Sequence, residues 1–335
     1  MWSRRAIRRR EEALASELDS VKTVEPMSLG LELLGLHTPP HSIEDLCCTV
    51  RACVSTSAVF FSPPHAAQPT PRGNEFVFPS PLPSGIPEND IVFCRLFETR
   101  VRRRAVVILP HWNSTAANYE RMGIWLSRFG VTAIYMSLPH HDGRRPAQEL
   151  LGSGLVSANL GRTIRSCQQA VMDARAIIGW LWDCGYRWIG VMGSSVGSTL
   201  ATIVAAHDAR VSALAQVLTA SDFGEVVWTG RATRHIRQAL EVSLTLEQVN
   251  AAWSVLSPIS YVRQLRNRNV PALVISGRED RVFLPYLTER LISGYREYGV
   301  RYQWHRFTCG HYTIADFPWN IGTLLRLGFF FRKHL

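Results

Sequence analysis

From about residue 91 onward, short unbroken apolar runs alternate with segments whose apolar positions recur every three or four residues. Residues 105–109 (Ala-Val-Val-Ile-Leu) have no polar member, the mark of a strand buried on both faces. The pattern predicts strands at 91–97, 105–109, 131–138, 188–192, 211–218, 271–276 and 300–307. Helices are predicted at 116–129, 160–184, 197–206, 284–298 and 319–331, with Gly130 and Gly185 where the first two should be capped. Strands in alternation with helices build a mostly parallel, doubly wound α/β sheet covered on both faces. Residues 221–258 break the rhythm. They read as a mainly helical insertion ahead of the strand at 271–276, either a lid over a pocket or a surface helix with Trp228 packed inward.

Upstream the pattern is weaker. Residues 1–20 read as a short helix, charged on most faces and with little apolar surface for a core. Residues 21–73 show no clear period. Pro63, Pro64, Pro69, Pro71, Pro79, Pro81, Pro83 and Pro87 make 62–88 a connector. Within it, Phe76 and Phe78 alternate with Glu75 and Val77 like an edge strand. The expected division is an N-terminal extension, 1–73, and an α/β domain, 74–335.

Composition narrows the class. Of 335 residues, 46% are apolar and 19% charged, which excludes collagen-like, coiled-coil and wholly disordered chains. No run approaches the roughly 20 apolar residues of a membrane-spanning helix. The net charge of +10 is almost all arginine, since lysine occurs only at 22 and 333. The arginines are spread along the chain apart from clusters at Arg4, Arg5, Arg8, Arg9, Arg10 and at Arg100, Arg102, Arg103, Arg104. With Trp2 the only aromatic near the first cluster, no specific nucleic-acid partner is expected. Seven irregularly spaced cysteines without a CxxC argue against a disulfide framework and a zinc site, and for a reducing, cytoplasmic setting. Glu11, Glu12, Glu17 and Asp19 occupy the place of a signal peptide's apolar stretch, so no export is expected.

One motif carries chemistry. Gly193-Ser194-Ser195-Val196-Gly197 is G-x-S-x-G between a predicted strand and a predicted helix. So tight a turn needs small flanking residues and lifts the Ser195 hydroxyl clear of the sheet. Serine is a weak nucleophile unless a base takes its proton. His311 follows the last strand and lies at the same end of the sheet as the turn; among the other histidines, His37 precedes the sheet and His207 ends a helix. Asp280 follows the strand at 271–276 and can orient His311, giving the chain order Ser, Asp, His. Asp222 is the rival acid, and Glu279 is expected to face solvent. An oxyanion hole needs two N–H donors. One is expected from Val196, the other from the loop after 105–109, with Asn113 first and Trp112 second. His111, His140, His141, Arg144 and His235 are candidates for the substrate-binding wall. Adjacent His140, His141 and Asp142 cannot easily converge on one ion, so no metal is expected.

With these motifs, residues 91–335 resemble the α/β-hydrolase superfamily. The segments Phe78-Pro79-Ser80-Pro81, Pro87-Glu88-Asn89, Leu109-Pro110-His111-Trp112-Asn113, Leu138-Pro139-His140-His141-Asp142 and Thr233-Arg234-His235 resemble a bacterial branch near the dienelactone-hydrolase-like and prolyl-oligopeptidase-like enzymes. In that family a His-Gly motif opens the oxyanion loop; here Trp112 replaces the glycine. The resemblance implies a first strand within 74–88 and an esterase-like acyl hydrolase that needs no cofactor and acts on a small acyl substrate. Acyl transfer by the same three residues, or a binding protein that keeps the fold without catalysis, are the alternatives.

Overall fold

The computed structural model describes residues 3–19, 22–34, 41–62, 65, 67–100 and 103–335. Trp2, His37, Pro63, Pro64 and Arg102 lie outside the described residues. The strands are β1 (Thr70–Arg72), β2 (Glu75–Pro79), β3 (Ile91–Phe97), β4 (Arg104–Leu109), β5 (Thr132–Met136), β6 (Trp188–Ser194), β7 (Val211–Val217), β8 (Ala272–Gly277) and β9 (Tyr302–Phe307). They form one nine-stranded sheet in the order β1-β2-β3-β5-β4-β6-β7-β8-β9. From β5 to β9 every pairing is parallel, and β1, β2 and β3 join antiparallel at one side.

The helices are α1 (Arg4–Asp19), α2 (Ile43–Ser55), α3 (Ser57–Phe60), α4 (Ala116–Arg128), α5 (Leu160–Asp183), α6 (Val196–His207), α7 (Phe223–Thr229), α8 (Arg234–Leu240), α9 (Leu246–Ala252), α10 (Val262–Asn267), α11 (Pro285–Tyr298) and α12 (Trp319–His334). The alternation of side chains in a strand explains their distribution. Ala105, Val107 and Leu109 of β4 pack on one face with α5 and α6. Val106 and Ile108 pack on the other with α4 and α12. Strands buried on both faces have no polar side to present, hence the unbroken apolar runs. The register of the parallel strands pairs Leu109 with Gly193, Ser194 with Val217, and Gly277 with Phe307. The loops after β4, β6, β7, β8 and β9 therefore open at one end of the sheet.

Three features differ from the sequence expectation. The segment 43–60 is helical, not aperiodic: Ser42 Oγ caps α2 by accepting from the Asp45 N–H at 3.1 Å. Leu46, Cys47 and Val50 are buried, and α2 packs on α9 of the insertion. The outermost strand is β1, so β2 is paired on both sides. Helix α1 is not a solvated appendage. Ile7, Glu11 and Ala15, spaced four apart, form a narrow buried stripe between arginine-rich flanks, and Ile7 packs with Cys309 and Trp319.

Phe76 and Phe78 of β2 are buried, and Phe78 pairs with Val92 of β3. Truncating a buried phenylalanine costs about 3–5 kcal/mol. Phe78→Ala is therefore expected to lower the unfolding free energy by about 3 kcal/mol in urea titrations. An unchanged midpoint would show that the 70–79 hairpin is no part of the cooperative fold.

Candidate active site

β6 passes into α6 through a single residue, Ser195, at φ +55° and ψ −124°. A left-handed φ is costly for a residue with a Cβ. The surroundings hold it. The Ser195 N–H donates to Val217 O at 2.9 Å, and Ser198 Oγ donates to Ser195 O at 2.6 Å. A Cβ on Gly193 would lie 1.9 Å from Gly197 O, and one on Gly197 would lie 2.1 Å from Leu109 O. Only glycine at both places lets strand, turn and neighbouring strand approach this closely.

The loop after β9 brings His311 to this turn. Ser195 Oγ donates to His311 Nε2 at 2.9 Å. His311 Nδ1 lies 2.9 Å from Asp280 Oδ2 and 3.1 Å from Oδ1. A nitrogen facing a carboxylate carries the proton, which leaves Nε2 as the acceptor. Asp280 Oδ1 also accepts from the N–H groups of Val282 and Phe283, both at 2.8 Å, which fixes the carboxylate. Asp222 is turned elsewhere. It accepts from Arg290 Nη1 at 2.8 Å and from Ser221 Oγ at 2.5 Å. Glu279 does not face solvent: it is 5% exposed and paired with Arg8 at 2.6 Å and Arg4 at 3.4 Å.

The loop after β4 departs from expectation. The Asn113 N–H, first choice as an oxyanion donor, donates to His141 Nε2 at 3.0 Å. His141 Nδ1–H donates to Pro139 O at 2.8 Å, so Nε2 is free to accept, and burial pushes this imidazole down to about 4. Trp112 lines the same cavity as Ser195 and Val196. Its ring is held by Nε1 donating to Gly152 O at 2.8 Å, by stacking on His235 at 6.1 Å, and by the Lys22 ammonium 4.5 Å above it. The His111 N–H donates to Tyr119 Oη at 2.9 Å, and the hydroxyl lies 2.8 Å from Nδ1. Burial, with His311 nearby, pushes His111 down to about 4.

A cavity of about 660 Å³ opens over Ser195. Most of its wall is apolar: Val156, Phe223, Val226, Val227, Val282 and Phe283 contribute, with Leu14 and Leu18 of α1. His111 reaches it, and His235 stands behind Trp112. His140, His141 and Arg144 do not reach it, because the loop after β5 turns inward. Arg144 is fully buried, 2.9 Å from Asp173 Oδ2, and donates to the carbonyls of Asn89 and Ser137 at 2.9 and 3.0 Å. His140 pairs with Glu149 at 2.7 Å. These groups bond within the fold and do not line the cavity. Residues 223–233 of the insertion form part of the wall. The contribution of α1 to the wall was missed; the signal for it was the stripe Ile7, Glu11, Leu14, Ala15, Leu18 at helical spacing. Among the described residues, no three His, Cys, Asp or Glu side chains are grouped so as to hold a metal ion. No described helix is long and apolar enough to cross a membrane.

No family model and no curated protein matches the chain. Solved structures do. An acetyl xylan esterase from Paenibacillus sp. R4 superposes with a TM-score of 0.60 at 13% identity, over 93% of this chain and all of its own (100%). The fold is that of the α/β hydrolases. An acylaminoacyl peptidase from Pyrococcus horikoshii matches with a TM-score of 0.59 at 14% identity over 83% of this chain, and a puromycin-hydrolyzing peptidase from Mycobacterium tuberculosis with 0.58 at 15% over 80%. This chain spans only 43% and 39% of those two peptidases. At such identities the likeness is one of fold.

Burial pushes His111, His141 and His235 each down to about 4 from an ordinary 6.5. Imidazole titrations followed by NMR should place all three midpoints well below those of exposed histidines. Between pH 6.5 and 4 the unfolded chain binds protons that these folded rings refuse, so their contribution destabilises the fold as pH falls through that window. The share of His141 is isolated by difference: His141→Gln should lose less unfolding free energy than the parent between pH 6.5 and 4. Equal losses would contradict its buried, neutral state.

Proposed function

We propose that the protein is a serine hydrolase that cleaves an ester or related acyl bond of a small substrate through an acyl-enzyme. The observation that carries this reading is the continuous hydrogen-bond chain from Ser195 Oγ through His311 to Asp280, opening into a largely apolar cavity. Ser195 Oγ attacks the carbonyl carbon as His311 Nε2 takes its proton. Asp280 keeps Nδ1 protonated and stabilises the imidazolium. The negative oxygen of the tetrahedral intermediate is held by the Val196 N–H, at the start of α6, and by Trp112, since the Asn113 amide is engaged by His141. The intermediate collapses, and the leaving group takes the proton from His311. Water then attacks the acyl-enzyme, giving its proton to His311, and the acid departs as Ser195 is re-protonated.

The wall chemistry supports an apolar acyl group, and the volume suits a drug-sized substrate. The esterase among the structural neighbours and the peptidases beside it leave the bond itself open between ester and amide; the largely apolar wall over Ser195 supports the ester. Helices α7 to α9 serve as the lid, and the reading keeps the cytoplasmic setting expected from the cysteine pattern. Residues 74–335 form the catalytic domain in this proposal, completed by elements from 3–73.

A fluorophosphonate probe should label the protein at Ser195 and leave Ser195→Ala unlabelled. On a panel of aryl esters of graded acyl length, Asp280→Asn should lose roughly 10⁴-fold in turnover, and Asp222→Asn far less. Labelling that survives in Ser195→Ala, or turnover that survives in Asp280→Asn but not Asp222→Asn, would overturn the assignment.

A further inference from the structure

Behind His311 lies a second carboxylate that the reaction above does not use. Glu11 of α1 is 1% exposed, more than 290 positions away in sequence, and aimed at the main chain of the histidine loop. Its Oε2 accepts from the His311 N–H at 2.9 Å. Its Oε1 accepts from the Tyr312 N–H at 3.0 Å and the Thr313 N–H at 2.7 Å. Three successive amides thus converge on one carboxylate, hydrogen bonds that offset part of the burial that pushes its titration above the ordinary carboxylate range. The loop is shaped for it: a Cβ on Gly310 would lie 2.2 Å from Glu11 Cδ, so a glycine immediately before the histidine admits the carboxylate. The same helix also grips the loop that carries the acid. Arg8 and Arg4 pair with Glu279, the residue before Asp280, and Arg10 binds Asp316 at 2.6 and 3.2 Å. Toward the cavity, α1 presents Leu14 and Leu18.

We infer that Glu11 is a positioning residue for His311, and that α1 is a clasp holding the base-bearing and acid-bearing loops in register with Ser195. The inference rests on the serine-hydrolase reading and deepens it. A carboxylate offers an acceptor oxygen to each side of the amide cluster. An amide at the same place would turn its NH₂ toward N–H donors, so Glu11→Gln keeps the volume and loses the fit. Loosening the loop moves Nε2 relative to Oγ, and small misplacements of a reacting group are expensive in rate. Loss of a nearby anion also disfavours the imidazolium.

Turnover per active site, counted by fluorophosphonate titration, separates a positioning role from a loss of folded protein. In Glu11→Gln, kcat per titrated site should fall about ten- to a hundredfold with little change in KM, and the acid limb of kcat/KM should move to lower pH. The exposed neighbour substitution Glu12→Gln should change neither. Ile7→Asp, which undocks α1 from Cys309 and Trp319 without altering the carboxylate, should reproduce the loss. Two readouts need no turnover: the NMR midpoint of His311 should fall in Glu11→Gln, and amide exchange at 311–313 should quicken. If the parent protein takes no probe, the hydrolase reading fails, and these two readouts still decide the clasp. An unshifted His311 midpoint, unchanged amide exchange, or unchanged kcat per site in Glu11→Gln would overturn it.

Discussion

Ser195 is held at φ +55°, where a side chain is strained by about 1–3 kcal/mol, and the backbone around it leaves no room to relax. The turn is fixed from three directions. β7 accepts the Ser195 amide through Val217, α6 clamps the Ser195 carbonyl through Ser198, and Gly197 sits against the end of β4. Each of these partners belongs to the parallel core, so the strain is borne by the best-packed part of the molecule. The same parallel register brings the ends of β4, β8 and β9 level with the turn. An N–H loop, an acid and a base can then reach the serine from separate loops without long excursions. The site is a consequence of sheet register more than of any one loop.

Most of this could be read in the chain. The strands and helices from residue 91 onward fall close to the expected places because a strand buried on both faces writes an unbroken apolar run and its covering helix writes a 3.6-residue period. Ser195 was legible because the turn demands glycine on both sides. Asp280 and His311 were legible because each follows a strand whose carboxyl end must lie beside it. What escaped was decided by burial of polar groups. His140, His141 and Arg144 look like a binding loop by composition. They face inward because Asp173 and Asn89 hold Arg144 from elsewhere in the fold, while Glu149 and Pro139 hold His140 and His141 within the same loop, a matching that residue types alone do not announce. Asn113 likewise looked like a free donor until His141 took its amide.

Helix α2 escaped for a different reason. Its buried stripe is only Leu46, Cys47 and Val50, little more than one turn, and it finds its cover on α9 in the insertion. A stripe that short carries too little periodic signal to stand out against a chain rich in proline and serine.

Helix α1 shows most clearly why charge density alone misleads. Asp280, Glu279 and Glu11 converge behind His311, and all three are 5% exposed or less. Buried charges of one sign are tolerable only when each has a partner or a set of donors. Asp280 has His311 and two main-chain amides. Glu11 has three amides. Glu279 pairs with Arg8 and Arg4, which reach it from exposed positions. The arginine cluster at the start of the chain is therefore two populations. Arg4, Arg8 and Arg10 answer acids of the loops beside the cavity, while Arg5 and Arg9 lie on the opposite side of the helix. More than half of the arginines of this segment, which reads as a solvated tail, answer acids in or near the histidine-bearing and acid-bearing loops.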